Sequence, residues 1–204
     1  MPESDALHRA RELRAEADAF LAETGLPERL REHGTFHLTG SYVYDLMTRR
    51  EIDVCLAVEA PRPGIVHDII GRLLATTQVV SLRYRNELAL RTEGNPRGLL
   101  LGVDVRTSGG VEWTIDLLIA DADEVERVLD RGRAVEERLG PESREAILAV
   151  KSRLGSRAAG RPVVGAEAVY DAVMNHGVRT VEEWESWCKG GAASPPRRSG
   201  GGRS

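Results

Sequence analysis

Three acidic side chains of this chain are spaced so that they could share one site. Glu51 and Asp53 stand two apart in Glu51-Ile52-Asp53-Val54. In an extended strand, side chains at i and i+2 leave the same face. Asp116, in Ile115-Asp116-Leu117, has the same alternation on a later strand. Were those strands neighbours, three carboxylates would converge. Carboxylates at close range repel one another, and a buried charge without a partner is costly. Divalent cations relieve that repulsion, and an oxygen-only ligand set suits Mg²⁺ or Mn²⁺ rather than zinc. A second element is Gly40-Ser41, ten residues ahead of Glu51. Glycine lets the backbone approach a ligand closely, and the first N–H groups of a following helix point at an anion. A phosphate-binding turn beside a paired-metal carboxylate site suits chemistry on a nucleoside triphosphate.

The run Leu38-Thr39-Gly40-Ser41, nine intervening residues, then Glu51-Ile52-Asp53-Val54 resembles the signature of the DNA polymerase β-like nucleotidyltransferases. Ile115-Asp116-Leu117 is similar to the third-acid strand of the same superfamily, and the resemblance covers about residues 30 to 120. Glu51 stands where that signature more usually has Asp. The resemblance implies that Gly40 and Ser41 hold the β- and γ-phosphates. It also implies that Glu51 and Asp53 bind two metals, Mg²⁺ or Mn²⁺, and that Asp116 completes the second metal site. The implied reaction is in-line attack on the α-phosphorus of an NTP, with pyrophosphate leaving.

Asp104 competes for the role of third acid. It lies on the partner strand of a hairpin, with Val103 and Val105 facing the other way. Asp116 is preferred because its strand is longer and more apolar, and Asp104 is read as pairing with an arginine. Lys151 shares a helical stripe with Ile147, Val150 and Leu154, so its ammonium emerges from an apolar side. It reads either as a triphosphate contact or as a packed stem with its head in solvent. Arg83, Arg85 and Arg91 share strand parity and read as a basic strip facing substrate or as a solvated face.

The elements needed to position these groups follow from periodicity. Helices are predicted over 4–23 (capped by Ser4), 27–32, 42–47, 65–75, 122–139, 141–154, 165–175 and 181–188. Strands are predicted over 35–39, 51–58, 79–91, 99–106 and 112–119, the last two forming a hairpin. The fold class is α+β: a small mixed β-sheet core with flanking helices, followed by a C-terminal helical subdomain. The expected divisions are residues 1–120 (core with the N-terminal helix), 121–189 (helical subdomain, with Trp184 and Trp187 in its core) and 190–204 (a disordered basic tail).

Composition limits the partners. The 204 residues carry a net charge of −4, yet the stretch from Lys189 to Ser204 has four cations and no acid, so the body is more acidic than the total. Gripping a long nucleic acid needs clustered cations. A small-molecule or protein acceptor is therefore expected over a long RNA. No apolar run approaches the ~20 residues of a membrane helix, so no membrane partner is expected. The N-terminus shows no secretory signal, and Cys55 and Cys188 form no framework. A reducing cytoplasm is the expected location. His33, His67 and His176 lack the spacing of a zinc site. The sequence thus reads as a metal-dependent nucleotidyltransferase that moves an NMP from an NTP to a hydroxyl or phosphate. The alternative is a catalytically inactive nucleotide-binding regulatory or toxin–antitoxin protein of the same fold. A pyrophosphokinase of the (p)ppGpp-synthetase kind is a third reading.

Overall fold

A computed structural model describes residues 5–155 and 165–190. The predicted Ser4 cap and the basic tail beyond Gly190 lie outside the described residues. The chain divides into two compact units, Met1–Glu137 and Arg138–Ser204. The first unit runs α1 (Asp5–Thr24), α2 (Leu26–Arg31), β1 (Thr35–Thr39), α3 (Gly40–Val43), β2 (Glu51–Ala57) and α4 (Pro63–Thr76). It continues with β3 (Gln78–Asn86), α5 (Glu87–Leu90), β4 (Leu99–Arg106), β5 (Glu112–Ala120) and α6 (Ala122–Glu136). The second unit contains α7 (Pro141–Gly155), α8 (Ala166–His176) and α9 (Val181–Lys189).

The five strands form one mixed sheet in the order β1-β2-β5-β4-β3. β2 runs parallel to β5, and every other pairing is antiparallel. Alternation along the strands sorts the sheet into two faces. One face carries Ile52, Val54 and Leu56, Leu101, Val103 and Val105, and Trp113, Ile115 and Leu117, all buried with Leu13, Ala17 and Phe20 of α1 and Ile69 and Leu73 of α4. Phe20 stacks on Trp113 with ring centroids 4.8 Å apart. Each Val, Leu, Ile or Phe among them contributes roughly 1.5–3 kcal/mol when fully buried. The opposite face is apolar only at one end, where Cys55, Leu118 and Ala120 pack with Val125 of α6. The rest of that face carries the polar residues.

α1 repeats Ala10, Leu13, Ala17, Phe20 and Leu21 on its buried side. It ends where the Thr24 hydroxyl donates back to the Phe20 carbonyl (2.8 Å) and Gly25 takes φ +59°. α6 starts on Asp121, whose carboxylate accepts from the Glu124 N–H at 2.8 Å. In the second unit, α9 begins with a capping box between Thr180 and Glu183. Trp184 is buried there, as the sequence predicts, and lies 5.3 Å, ring to ring, from Trp187, which is only half-buried. No helix among the described residues is long and apolar enough to cross a membrane.

Two elements differ from the sequence expectation. The strand predicted over 79–91 ends at Asn86, and Glu87–Leu90 forms a helical turn. The Asn86 side chain caps that turn by accepting from the Ala89 N–H (3.2 Å), and Arg91 closes it at φ +51°. Arg91 therefore lies off the strand and does not share the parity of Arg83 and Arg85. The helix predicted over 42–47 is instead the short α3, because Asp45 turns to φ +55° and breaks the run.

The α5 turn is organised by Glu87, which is 1% exposed. Its carboxylate accepts from Arg85 (2.6 and 2.9 Å), Asn95 Nδ2 (2.8 Å) and the Thr92 N–H (3.0 Å). Burial alone would raise its pKa, but these donors hold it down from 4.5 to about 2. A depressed carboxyl adds stability that is present above its unfolded value and is lost as pH falls through its folded value. Replacing Glu87 by Leu should cost about 1–3 kcal/mol at pH 7, because the Thr92 N–H and its companions lose their acceptor. Urea titrations between pH 5 and 2 should then show a flatter loss of stability in Glu87→Leu than in the parent.

Candidate active site

Register brings the predicted acids together. In the parallel β2–β5 pair, Asp53 lies opposite Asp116 and Glu51 opposite Thr114. One carboxylate oxygen from each of Glu51, Asp53 and Asp116 lies within 4.8 Å of the other two. Glu51 and Asp53 are half-buried, and Asp116 keeps more solvent exposure as a residue than either, although its carboxyl is crowded by the neighbouring strands. A set of three carboxylates fits a hard divalent cation, since every donor is oxygen.

The electrostatics of the three acids are uneven. The Asp116 carboxyl is pushed above its usual range, first by lost hydration and then by Glu51, with Arg83 and Arg49 opposing. Glu51 is in direct contact with the Arg49 guanidinium. At Asp116, the cations Arg83 and Arg49 thus only partly offset the effect of burial and of Glu51.

Gly40 reaches this cluster through the backbone. β1 ends with Thr39 opposite Asp53, which sets the next residue against the Asp53 side chain. Gly40 has φ +65°, and a Cβ there would fall 2.2 Å from Asp53 Oδ2. Two independent demands therefore require glycine: a left-handed backbone and a close approach to a carboxylate. Ser41 follows in α3, and its carbonyl accepts from the Leu46 N–H at 2.9 Å. As α3 is a single turn, helix-dipole support for an anion is smaller than the sequence suggested.

α1 braces this turn from outside. The Tyr42 hydroxyl donates to Asp18 (2.6 Å), and Arg14 lies 4.4 Å over the Tyr42 ring while bonding Asp45 (2.5 Å). Arg50 Nε bonds Glu16 at 2.6 Å, so both flanks of the turn are tied to one helix. Sequence reasoning missed this clamp, because nothing in the local pattern links residues 14–18 to residues 42–50.

Asp104, the competitor, is committed to other partners. Its carboxylate accepts from Arg83 (2.8 Å), Ser81 and Thr114 Oγ1 (2.9 Å). The Arg83 bond first, then that from Ser81, hold its pKa down at about 2. It is ionised and satisfied by protein donors alone, and the arginine pairing predicted for it is present. Lys151 belongs to the second unit, where Nζ lies 3.4 Å from the Tyr170 hydroxyl and 5.5 Å from its ring centre.

Gly102, opposite Asp116 on β4, was not singled out in the sequence. A Cβ there would meet Arg83 Nη2 at 2.9 Å, Nε at 3.0 Å and Asp116 Oδ1 at 3.1 Å. A glycine inside an otherwise apolar strand was the available sign of such a close approach.

No protein-family model matches the chain, and no curated protein matches it in sequence. Solved structures do match in fold. The RNA terminal uridylyl transferase Cid1 aligns over 83% of this chain and 49% of its own, with 14% identity and a TM-score of 0.52. A cytoplasmic RNA terminal U-transferase aligns over 83% and 53%, with 13% identity and a TM-score of 0.51. The chain spans about half the length of these proteins. The small alarmone synthetase 1 of Bacillus subtilis aligns over 93% and 96% at 12% identity, with a TM-score of 0.33. The chain shares its fold with these RNA terminal uridylyl transferases over 83% of its length.

Proposed function

We propose that the protein is a metal-dependent nucleotidyltransferase, moving a nucleoside monophosphate from an NTP to a hydroxyl or phosphate of a small acceptor with release of pyrophosphate. The observation that carries this reading is the convergence of Glu51, Asp53 and Asp116 within 4.8 Å, beside a glycine turn whose backbone presses on Asp53. In this fold, that combination has a direct chemical use. Glu51, Asp53 and Asp116 would hold Mg²⁺ or Mn²⁺. When bound, the ions supply charge stabilisation to the entering and leaving oxygens of an in-line displacement.

The chain's own residues do the rest. Gly40 and Ser41 would seat the β- and γ-phosphates, with the Gly40 backbone bringing them next to Asp53. Asp116 is the candidate to accept the acceptor's proton. Asp104 is already taken up by three protein donors, Arg83, Ser81 and Thr114, and is not free to do so. The acidic composition supports a small or protein acceptor, and the scarcity of cysteine supports a cytoplasmic setting.

The direct test is incubation with each labelled NTP and Mg²⁺ against a panel of acceptors, following pyrophosphate and the labelled product. Metal-dependent pyrophosphate release with AMP-type transfer supports the reading. AMP release with pyrophosphate moved to the acceptor would instead mark a pyrophosphokinase.

One observation favours a second reading. Arg49 already engages Glu51, the acid that replaces the usual Asp. A nucleotide-binding regulatory protein of the same fold would bind NTP and be stabilised by it without turnover in the same assay.

A further inference from the structure

The sheet orders the polar face into rows. Across the strands, Thr39, Asp53, Asp116, Gly102 and Arg83 lie in register, each opposite the next. Arg83 thus stands two strands from Asp116, about 10 Å between backbones. It spans that gap because Gly102 between them has no side chain. Its Nη1 is anchored on Asp104 at 2.8 Å. Its Nε and Nη2 lie over Gly102, within about 3 Å of the point where a Cβ would sit, and Asp116 Oδ1 is 3.1 Å from that same point. Among the described residues, neither Nε nor Nη2 has a hydrogen-bond partner. Nε and Nη2 form the side edge of a guanidinium, the edge that accepts a carboxylate or phosphate with two parallel bonds.

The direction of the reaction gives this edge a role, and this step rests on the transferase reading above. In an in-line displacement the nucleophile enters opposite the leaving group. The phosphate turn at Gly40–Ser41 lies at the β1–β2 end of the row, so pyrophosphate departs there. The acceptor must then approach Asp116 from the β4–β3 end, over Gly102. Arg83 is the cation at that end.

The neighbouring arginine does not extend the strip. Arg85 spends both Nε and Nη2 on the buried Glu87. One open fork receives one anionic group, whereas a nucleic-acid strand is held by several phosphate contacts.

We propose that Arg83 is the acceptor's anchor: its Nε–Nη2 edge, laid over Gly102 and levered by Asp104, receives the phosphate of a small phosphate ester whose hydroxyl then faces Asp116. The acceptor class is thus anionic. Cationic aminocyclitols and neutral sugars lack the group that Arg83 is set to receive.

The test uses the full chain with Mn²⁺ and a non-hydrolysable NTP analogue, titrated calorimetrically with ribose, ribose 5-phosphate, glycerol, glycerol 3-phosphate and a short oligoribonucleotide. The phosphorylated member of each pair should bind at least tenfold more tightly than its parent. Arg83→Gln should erase that preference and Arg83→Lys should restore only part of it, because a point charge does not fork. Affinity for the Mn²⁺–NTP analogue should stay within twofold in both variants. Equal binding of the two members of each pair would overturn the assignment. So would an equal loss of NTP-analogue binding in Arg83→Gln, which would put Arg83 on the donor side. Binding of the oligoribonucleotide more than tenfold tighter than either sugar phosphate would overturn the small-ester class. Failure of the parent protein to bind the NTP analogue with Mn²⁺ would contradict the transferase reading itself, and the assignment of Arg83 would fall with it.

Discussion

Gly40→Ala should lose at least about 10²-fold in kcat/KM while the protein still folds. Two effects act at this position. Alanine at φ +65° costs roughly 1–2 kcal/mol of backbone strain. Its Cβ would also sit 2.2 Å from Asp53 Oδ2, so the carboxylate must swing away. A displacement of about 1 Å in a reacting constellation can itself cost 10²-fold in rate. Stability should fall by only about 1–3 kcal/mol, since the clash is with one half-buried side chain and not with the apolar core. Gly71 is the control. It lies within α4, with open space where a Cβ would be, so Gly71→Ala should leave activity unchanged and raise stability by up to about 1 kcal/mol. Chemical denaturation and steady-state kinetics on the two variants separate loss of geometry from loss of fold.

The two candidate third acids should respond in opposite ways. Asp116→Asn should abolish turnover, by about 10³-fold or more, and leave the metal-free protein as stable as the parent or slightly more so at pH 7. The sign follows from its raised carboxyl. A carboxyl raised above its unfolded value contributes stability that is full below that unfolded value. The contribution is lost as pH rises through the folded value. At neutral pH the fold therefore bears an unfavourable charge that asparagine removes.

Asp104→Asn should do the reverse for stability. Its carboxyl is held at about 2, so its contribution is present at neutral pH and lost only in acid. Removing the charge weakens bonds from Arg83, Ser81 and Thr114 and should cost about 1–2 kcal/mol. Denaturation at pH 7, alongside pyrophosphate release, reads both substitutions. An Asp104→Asn variant that lost all activity without losing stability would exchange the two roles.

Much of the site could be read from strand alternation. The i, i+2 spacing of Glu51 and Asp53 fixes their common face, and the phase of Asp116 in an apolar strand fixes its own. What alternation does not give is which strands are neighbours. The parallel pairing of β2 with β5 is a tertiary fact, and only this pairing turns matched phase into a 4.8 Å cluster. The same limit hid the α1 clamp on Tyr42 and Asp45, whose partners lie 24 and 31 residues away.

Local misreadings had local causes. The apolar and arginine alternation through 79–91 has strand period. Asn86 offers a cap and Glu87 offers a buried acceptor, and together they favour a turn at the strand's end. Gly102 was legible only as an oddity inside β4. Its meaning depends on Arg83 lying across it from the adjacent strand.

The central claim is that Glu51, Asp53 and Asp116 act together as a metal site for a nucleoside triphosphate. Calorimetric titration of a non-hydrolysable NTP, with and without Mn²⁺, into the parent protein, Asp116→Asn and Asp104→Asn tests it most directly. Binding should require Mn²⁺ in the parent, persist in Asp104→Asn, and weaken at least tenfold in Asp116→Asn. Metal-independent binding in the parent, or equal binding in Asp116→Asn, would contradict it.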